Sequence, residues 1–203
     1  MSDAQHTLAA VLLAAGPSTR LGQPKQLVRF REETLVRRAA RMLCEAAAGE
    51  VIVVTGCEAD KVTRESTGLP VRAVFNREWE KGMGGSIACG ARNLASVPDG
   101  ILVGVCDQWL LEASDLQKLV SSWMDAPDRI HVASWKEGAA DVSGPPVIFP
   151  GRLKGELKGL DRGRGARQII DRYIECVEFV PLESAALDLD RPSDLDRLEK
   201  SAH

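Results

Sequence analysis

Aromatic residues are scarce: Phe, Trp and Tyr together make up 4 % of the 203 residues. A surface that stacks single-stranded bases draws on such side chains, so that mode of nucleic-acid binding is disfavoured. Histidine is equally thin, with His6, His131 and His203 as the full set. Two of these lie near the chain ends, His131 falls in a predicted strand, and nothing supports a Ser-His-Asp triad. Five cysteines (Cys44, Cys57, Cys89, Cys106, Cys176) are scattered, and no CxxC pair occurs. That pattern gives no support to a zinc site and reads as small buried thiols in a reducing compartment. An excess of positive charge is missing too, since 26 Lys and Arg face 29 Asp and Glu for a net charge of −3. Bulk attraction to a nucleic-acid backbone is therefore not expected. The N-terminal apolar run, residues 8–16, is about half a membrane span and lacks a basic segment before it. No membrane contact and a cytoplasmic location are expected. There is no internal repeat, low-complexity tract or linker.

What is present is an ordinary globular composition, 44 % apolar and 27 % charged, in a chain long enough to bury a core without staples. Residues 8–14 (LAAVLLA), 51–55 (VIVVT) and 100–106 (GILVGVC) are continuous apolar runs of strand length, as strands buried on both faces look. Weaker strands are predicted at 71–75, 130–134 and 143–150. Leu35, Ala39, Met42, Leu43 and Ala46 recur at helical spacing, and further helices are predicted over 86–95 and 112–123. Ser193, with Asp196 three residues on, predicts the start of a short terminal helix. Strands alternating with helices imply an α/β fold of three layers, a mostly parallel sheet with helices on both faces. One domain over 1–203 is expected, with about 1–140 binding nucleotide and about 141–203 adding an acceptor-side elaboration and the terminal helix.

The chemistry gathers after predicted strand ends, where ligands bind in such sheets. In residues 12–27, LLAAGPSTRLGQPKQL, a buried strand runs into a glycine turn and then a basic pair. Gly16 and Gly22 permit tight turns, and successive backbone N–H groups there favour an anion. Arg20 can fork onto phosphate oxygens, while Lys25 is a compact charge. A triphosphate suits this arrangement. The spacing is neither a Walker A loop nor a GxGxxG fingerprint. Asp107 follows the 100–106 strand, where a carboxylate is a natural Mg²⁺ ligand or else an ordinary turn aspartate. Ser86, after the glycines of GMGGS, reads first as a helix N-cap.

LAAGPSTRLGQPKQL resembles the signature LAAGxSxRxGxxK of the MobA-like nucleotidyltransferases, and within them looks most like the molybdenum cofactor cytidylyltransferases. Asn76 to Met83 with Ser86, Cys106-Asp107-Gln108, Gly144 to Val147, Gly165-Ala166-Arg167, and Asp188 to Leu195 resemble further segments in the same order. The resemblance covers about residues 8–200. It implies a Rossmann-like nucleotidyltransferase fold that moves CMP from CTP to the terminal phosphate of molybdopterin or its molybdenum form, releasing pyrophosphate. Lys25, Arg20 and Asp107 are then the catalytic set. Leu13, Ala14, Ala15, Gly16, Gly22, Lys25, Thr55, Gly56, Gly82 and Ser86 are expected to bind the nucleotide. Mg²⁺ is expected on Asp107 and on either Asp188 or Asp190, with Asp190 favoured. Ala15, where other members carry glycine, points to CTP rather than GTP. Arg162, Arg164 and Arg167 are candidates for an anionic acceptor, or else solvated loop arginines. The implied partners are CTP, a phosphorylated pterin and an apo-molybdoenzyme.

Three positions depart from the pattern: Trp109 stands where the family has proline, Gly163 where it has an acid, and Gly84-Gly85 in its Ser-rich loop. The first two fall where the acceptor is expected. The alternative readings are the same fold using GTP or another phosphorylated acceptor, and a non-catalytic nucleotide-binding partner of a molybdoenzyme. Local charge favours an anionic ligand even though the total does not. Residues 16–41 hold seven Lys/Arg against two Asp/Glu, and 151–172 hold seven against three. Residues 173–203 reverse this, with three against eight, and carry the candidate metal ligands.

Overall fold

The structure is a computed structural model and describes residues 6–161 and 165–201. The elements in chain order are β1 (Leu8–Ala14), the short pair β2 (Arg29–Phe30) and β3 (Glu33–Thr34), α1 (Leu35–Ala46), β4 (Val51–Thr55), α2 (Ala59–Glu65), β5 (Val71–Phe75) and α3 (Met83–Asn93). They continue with β6 (Gly100–Val105), α4 (Ala113–Asp125), β7 (Ile130–Glu137), β8 (Ala140–Pro150), α5 (Lys154–Lys158), α6 (Arg167–Arg172), β9 (Val177–Pro181) and α7 (Pro192–Ser201).

Among the described residues, seven strands make one sheet in the order β5-β4-β1-β6-β8-β7-β9. β5, β4, β1 and β6 run parallel; β8 lies antiparallel between β6 and β7, and β9 returns parallel to β7. The expected α/β architecture, a mostly parallel sheet with helices, is what forms. Every residue of β1 is buried because the strand is central and covered on both sides. Alternate side chains of a strand point to opposite faces. Leu8, Ala10, Leu12 and Ala14 thus enter a core shared with α1 and α4. Ala9, Val11 and Leu13 enter a second core shared with α3, α5 and α6.

The chain steps outward from β1 to β4 and β5, then crosses back to β6 on the other side of β1. β1 and β6 therefore flank a topological switch point, and the loops after their carboxyl ends open onto one crevice. Those loops carry Lys25 and Asp107.

Several boundaries differ from expectation. α3 begins at Met83, not Ser86, so Ser86 lies inside the helix and is not its N-cap. The break comes one residue earlier, at Gly82 with φ +99°, a backbone conformation that glycine alone adopts without strain. Ser193 does not cap α7, which starts with Pro192 at its first position. The Asp194 carboxylate instead accepts from the backbone N–H groups of Asp190 and Arg191, at 3.1 and 2.8 Å. β7 and β8 are longer than expected, and α2, α5, α6, β9 and the β2–β3 pair lacked a clear sequence period. Of the five cysteines only Cys106 is buried; the others are half-buried. His131 is buried in β7, where its Nδ1 accepts from the Ser122 hydroxyl and its Nε2–H donates to the Ala126 carbonyl. Among the described residues no helix is long and apolar enough to cross a membrane.

Candidate active site

A cleft of about 500 Å³ opens at the switch point. Ala15, Gly16, Pro17 and Thr19 form one wall, and Trp79, Gly82, Met83 and Ser86, from the segment that enters α3, form a second. Lys25, Cys106 and Asp107 lie at its floor. The first wall is the turn that follows β1, and it is held from behind by Gln26. The buried Gln26 amide donates to the carbonyls of Ala14 (3.2 Å) and Gly16 (2.6 Å). The second wall is pinned by Asn76, whose side-chain amide donates to the Ser86 hydroxyl at 3.2 Å.

Lys25 stands at the electrostatic centre. Its ammonium contacts the Asp107 carboxylate and lies 3.2 Å from Asp190 Oδ1. Burial works against the charge, but the adjacent Asp107 carboxylate, with Asp190 beyond it, outweighs that penalty. The net effect holds the Lys25 pKa above its usual value, so the cation persists at any working pH. Arg20 lies 3.2 Å from the other Asp190 oxygen and is 68 % exposed, at the rim rather than the floor. A second hollow of about 180 Å³ runs from Gly16 and Lys25 past Arg20 to Asp190. Burial pushes the Cys106 thiol far up, so it stays protonated beside the floor.

Asp190 reaches this place because the tail folds back. The Leu189 N–H donates to the Asp107 carbonyl at 3.0 Å. Leu189 and Leu198 are buried with Leu21, Phe30, Leu35 and Trp109 in a third core. Trp109 is thus no wall of the cleft: the departure from proline fills this core and anchors the tail. Residues 187–190 are irregular chain, not the strand that would put Asp188 and Asp190 on one face. Asp188 keeps solvent access, yet surrounding protein and then Asp107 raise its carboxyl to about 7, with Lys25 opposing and Asp190 adding to the rise.

Some expected ligand residues lie elsewhere. Thr55 and Gly56 line a separate hollow beside α2, because Gly56 packs against Trp79 and the Ala15 carbonyl. Gly22 shapes the turn with φ +77° but does not line the cleft, and the Ala14 side chain points into the core under α1. Arg167 borders a smaller apolar chamber, donating to the Ser143 hydroxyl at 3.1 Å and pairing with Asp171 at 3.0 Å. Arg162 and Arg164 lie outside the described residues. Gln26, Trp79 and Met83 also line the cleft and are not among the expected site residues. All three sit inside the quoted motifs, so rarity and position were the available signals.

The arrangement can take a polyanion at the glycine turn and a divalent cation at the floor. Asp107 Oδ1 is buried with no hydrogen-bond partner among the described residues. Its other oxygen is taken by Lys25, and the donors around it are hard carboxylate oxygens, which suit Mg²⁺ or Mn²⁺. No group of three or more His, Cys, Asp or Glu among the described residues forms a ready metal cage. A site of two carboxylates completed by phosphate oxygens and water needs none.

Comparison with known proteins agrees with this fold. The MobA-like NTP transferase domain matches residues 10–177. Nicotine blue oxidoreductase of Paenarthrobacter nicotinovorans is 31 % identical over 195 residues, 93 % of this chain and 94 % of that one. An Opitutus terrae protein named "Probable molybdenum cofactor guanylyltransferase" is 43 % identical over 58 residues, 29 % of each chain. A Mycobacterium tuberculosis H37Rv protein superposes with a TM-score of 0.81 at 24 % identity, covering 96 % of this chain and 98 % of that one. A further structure of that protein is a complex with manganese, with a TM-score of 0.74 at 22 % identity, covering 96 % of this chain and 99 % of that one.

Proposed function

The chain belongs to the MobA-like NTP transferase domain family and is a nucleotidyltransferase, and from that premise we propose that it moves CMP from CTP to a phosphorylated pterin. The observation that carries this reading is Lys25, a permanent cation held between Asp107 and Asp190 at the floor of a cleft walled by a glycine turn. The acceptor phosphate oxygen attacks the α-phosphorus. A new P–O bond forms as the bond to the bridging oxygen breaks, and the electron pair leaves with pyrophosphate. The protein's part is positioning and charge neutralisation. Lys25 offsets charge at the α-phosphate, Arg20 takes the β- and γ-phosphates, and the backbone of residues 15–22 cradles the chain. Leu13, Ala15, Gly82 and Ser86 supply the walls for the nucleoside. We assign about 1–140 to the nucleotide and about 141–203 to the acceptor side.

Asp107 and Asp190 would hold the divalent ion, since Asp190 already shares Lys25 with Asp107. When bound, Mg²⁺ supplies further neutralisation of the phosphate charge. Ala15 supports CTP, because its methyl takes space that glycine would leave to a purine. A molybdenum-linked acceptor draws support from the Opitutus relative, although that relative is named for guanylyl transfer.

Pyrophosphate release, with each NTP, Mg²⁺ and a phosphorylated pterin, tests the reading. Turnover with CTP is expected. A preference for GTP overturns the base assignment, and nucleotide binding without turnover of any NTP favours a cofactor-delivering partner. The Paenarthrobacter relative is named for redox chemistry, so one arm replaces the NTP by a reduced nicotinamide dinucleotide. Oxidation of that cofactor without NTP turnover would overturn the transferase assignment.

A further inference from the structure

The cleft has an annex. A chamber of about 180 Å³ lies beyond Met83, with Ile87, Val147, Phe149 and Ile170 among its walls. Leu13, Met83 and Val105 line both spaces, so the two are contiguous. We propose that this chamber receives a single apolar or aromatic ring borne by the second, phosphate-carrying substrate, with Met83 as its adjustable wall. The inference rests on the transferase reading alone and sets a one-ring acceptor against the pterin proposed above, and the closing experiment separates the two.

Size is the first argument. An apolar cavity of about 150 Å³ accepts benzene, so this chamber has room for one six-membered ring. Chemistry is the second. The walls are mostly hydrocarbon, and the Ser143 hydroxyl and Pro145 carbonyl at the rim each already accept one bond from the protein. The donors are Arg167 and, at 2.9 Å, the Gln108 amide. A ring edge rich in donors and acceptors would leave them unpaired there, which is costly. A pterin would keep its polar edge at the cleft mouth, and a one-ring aromatic phosphomonoester is the better match. Position is the third. The chamber meets the cleft that holds Lys25 at Leu13, Met83 and Val105, so a phosphate borne by the ring would lie on the Lys25 side. Met83 is 55 % exposed and unbranched, so it can shift at little cost and lay its thioether on a ring.

Phenyl phosphate is the probe, titrated into the full chain while methyl NMR signals of Met83, Ile87, Val147 and Ile170 are followed. Saturable shifts are expected with phenyl phosphate but not with inorganic phosphate. Ala166→Phe, which fills the chamber from its wall, should abolish them, and Met83→Ala should weaken binding by about 2- to 10-fold. If Ala166→Phe does not fold, the smaller change Ala166→Leu serves the same purpose. Equal shifts with inorganic phosphate, unchanged binding in the filled variant, or a pterin phosphate that displaces the probe from these methyls as well as phenyl phosphate itself would each overturn the proposal. NTP turnover is read separately: its loss with every acceptor defeats the transferase reading, whereas the methyl shifts alone decide the chamber.

Discussion

The Gln26 side-chain amide donates to the Gly16 carbonyl at 2.6 Å, tying the turn after β1 to the segment that carries Lys25. With its second bond to the Ala14 carbonyl, this amide turns two carbonyls away from the cleft. Gln26→Leu should leave both without that partner, at about 1–3 kcal/mol for a buried polar group. Nucleotide affinity should fall about 10-fold, corresponding to about 1.4 kcal/mol. Gln26→Glu should be worse, because a carboxylate would face two carbonyl oxygens. Calorimetric titration with CTP checks both; unchanged affinity in both variants would remove the positioning role.

Lys25 and Arg20 should differ in weight. Lys25 is 20 % exposed and Arg20 68 %, and charge acts more strongly where water is excluded. Lys25→Met should lower turnover by about 10²–10³-fold, the scale of losing a transition-state donor. Arg20→Met should cost less and show mainly in KM for the nucleotide. Steady-state pyrophosphate release would reveal the reverse order if the assignment were mistaken.

His131 makes stability depend on pH. It is fully buried, and burial lowers its pKa below the usual value, only partly opposed by the bond to the Ala126 carbonyl. The unfolded chain therefore takes up a proton near pH 6.5 that the folded chain refuses. This contribution is complete above that pH and is lost as pH falls toward the folded-state value. The slope is at most about 1.4 kcal/mol per pH unit. Urea midpoints between pH 7.5 and 5, compared with His131→Gln, should show a flatter curve for the variant.

Trp109 should matter for stability and activity together. Trp109→Ala opens a cavity in the third core and should cost about 3–5 kcal/mol. Because Leu189 shares that core, the same change should loosen Asp190 and reduce turnover even where the protein stays folded. Trp109→Phe should retain most of both. A turnover unchanged in folded Trp109→Ala would separate the tail from the site.

The long apolar runs made β1, β4 and β6 legible, since a strand covered on both faces has no polar side to disguise it. α1 was legible for the complementary reason, a buried stripe at helical spacing. α3 was misplaced because glycines in GMGGS argue for a turn, yet Gly84 is needed where the helix lies close to the Asp161 carbonyl. α2 and α6 are short, at seven and six residues, too brief to establish a period. At the site, Lys25 and Asp107 could be nominated because each follows a strand end. Thr55 and Gly56 follow the same rule, but Trp79 packs against Gly56 and closes that side.

By itself the sequence determined the layered α/β plan and the glycine turn with its two cations, since both rest on residues close together in the chain. Tertiary structure alone decided that Asp190 stands beside Lys25, that Trp109 supports the tail, and that an apolar chamber joins the cleft. Each of these depends on which buried surfaces meet. Apolar spacing shows that a residue is buried, but closure of the chain across the sheet selects its neighbours. The acidic tail and the basic turn are far apart in sequence, and they become one site because Leu189 and Leu198 bury against the same core as Leu21.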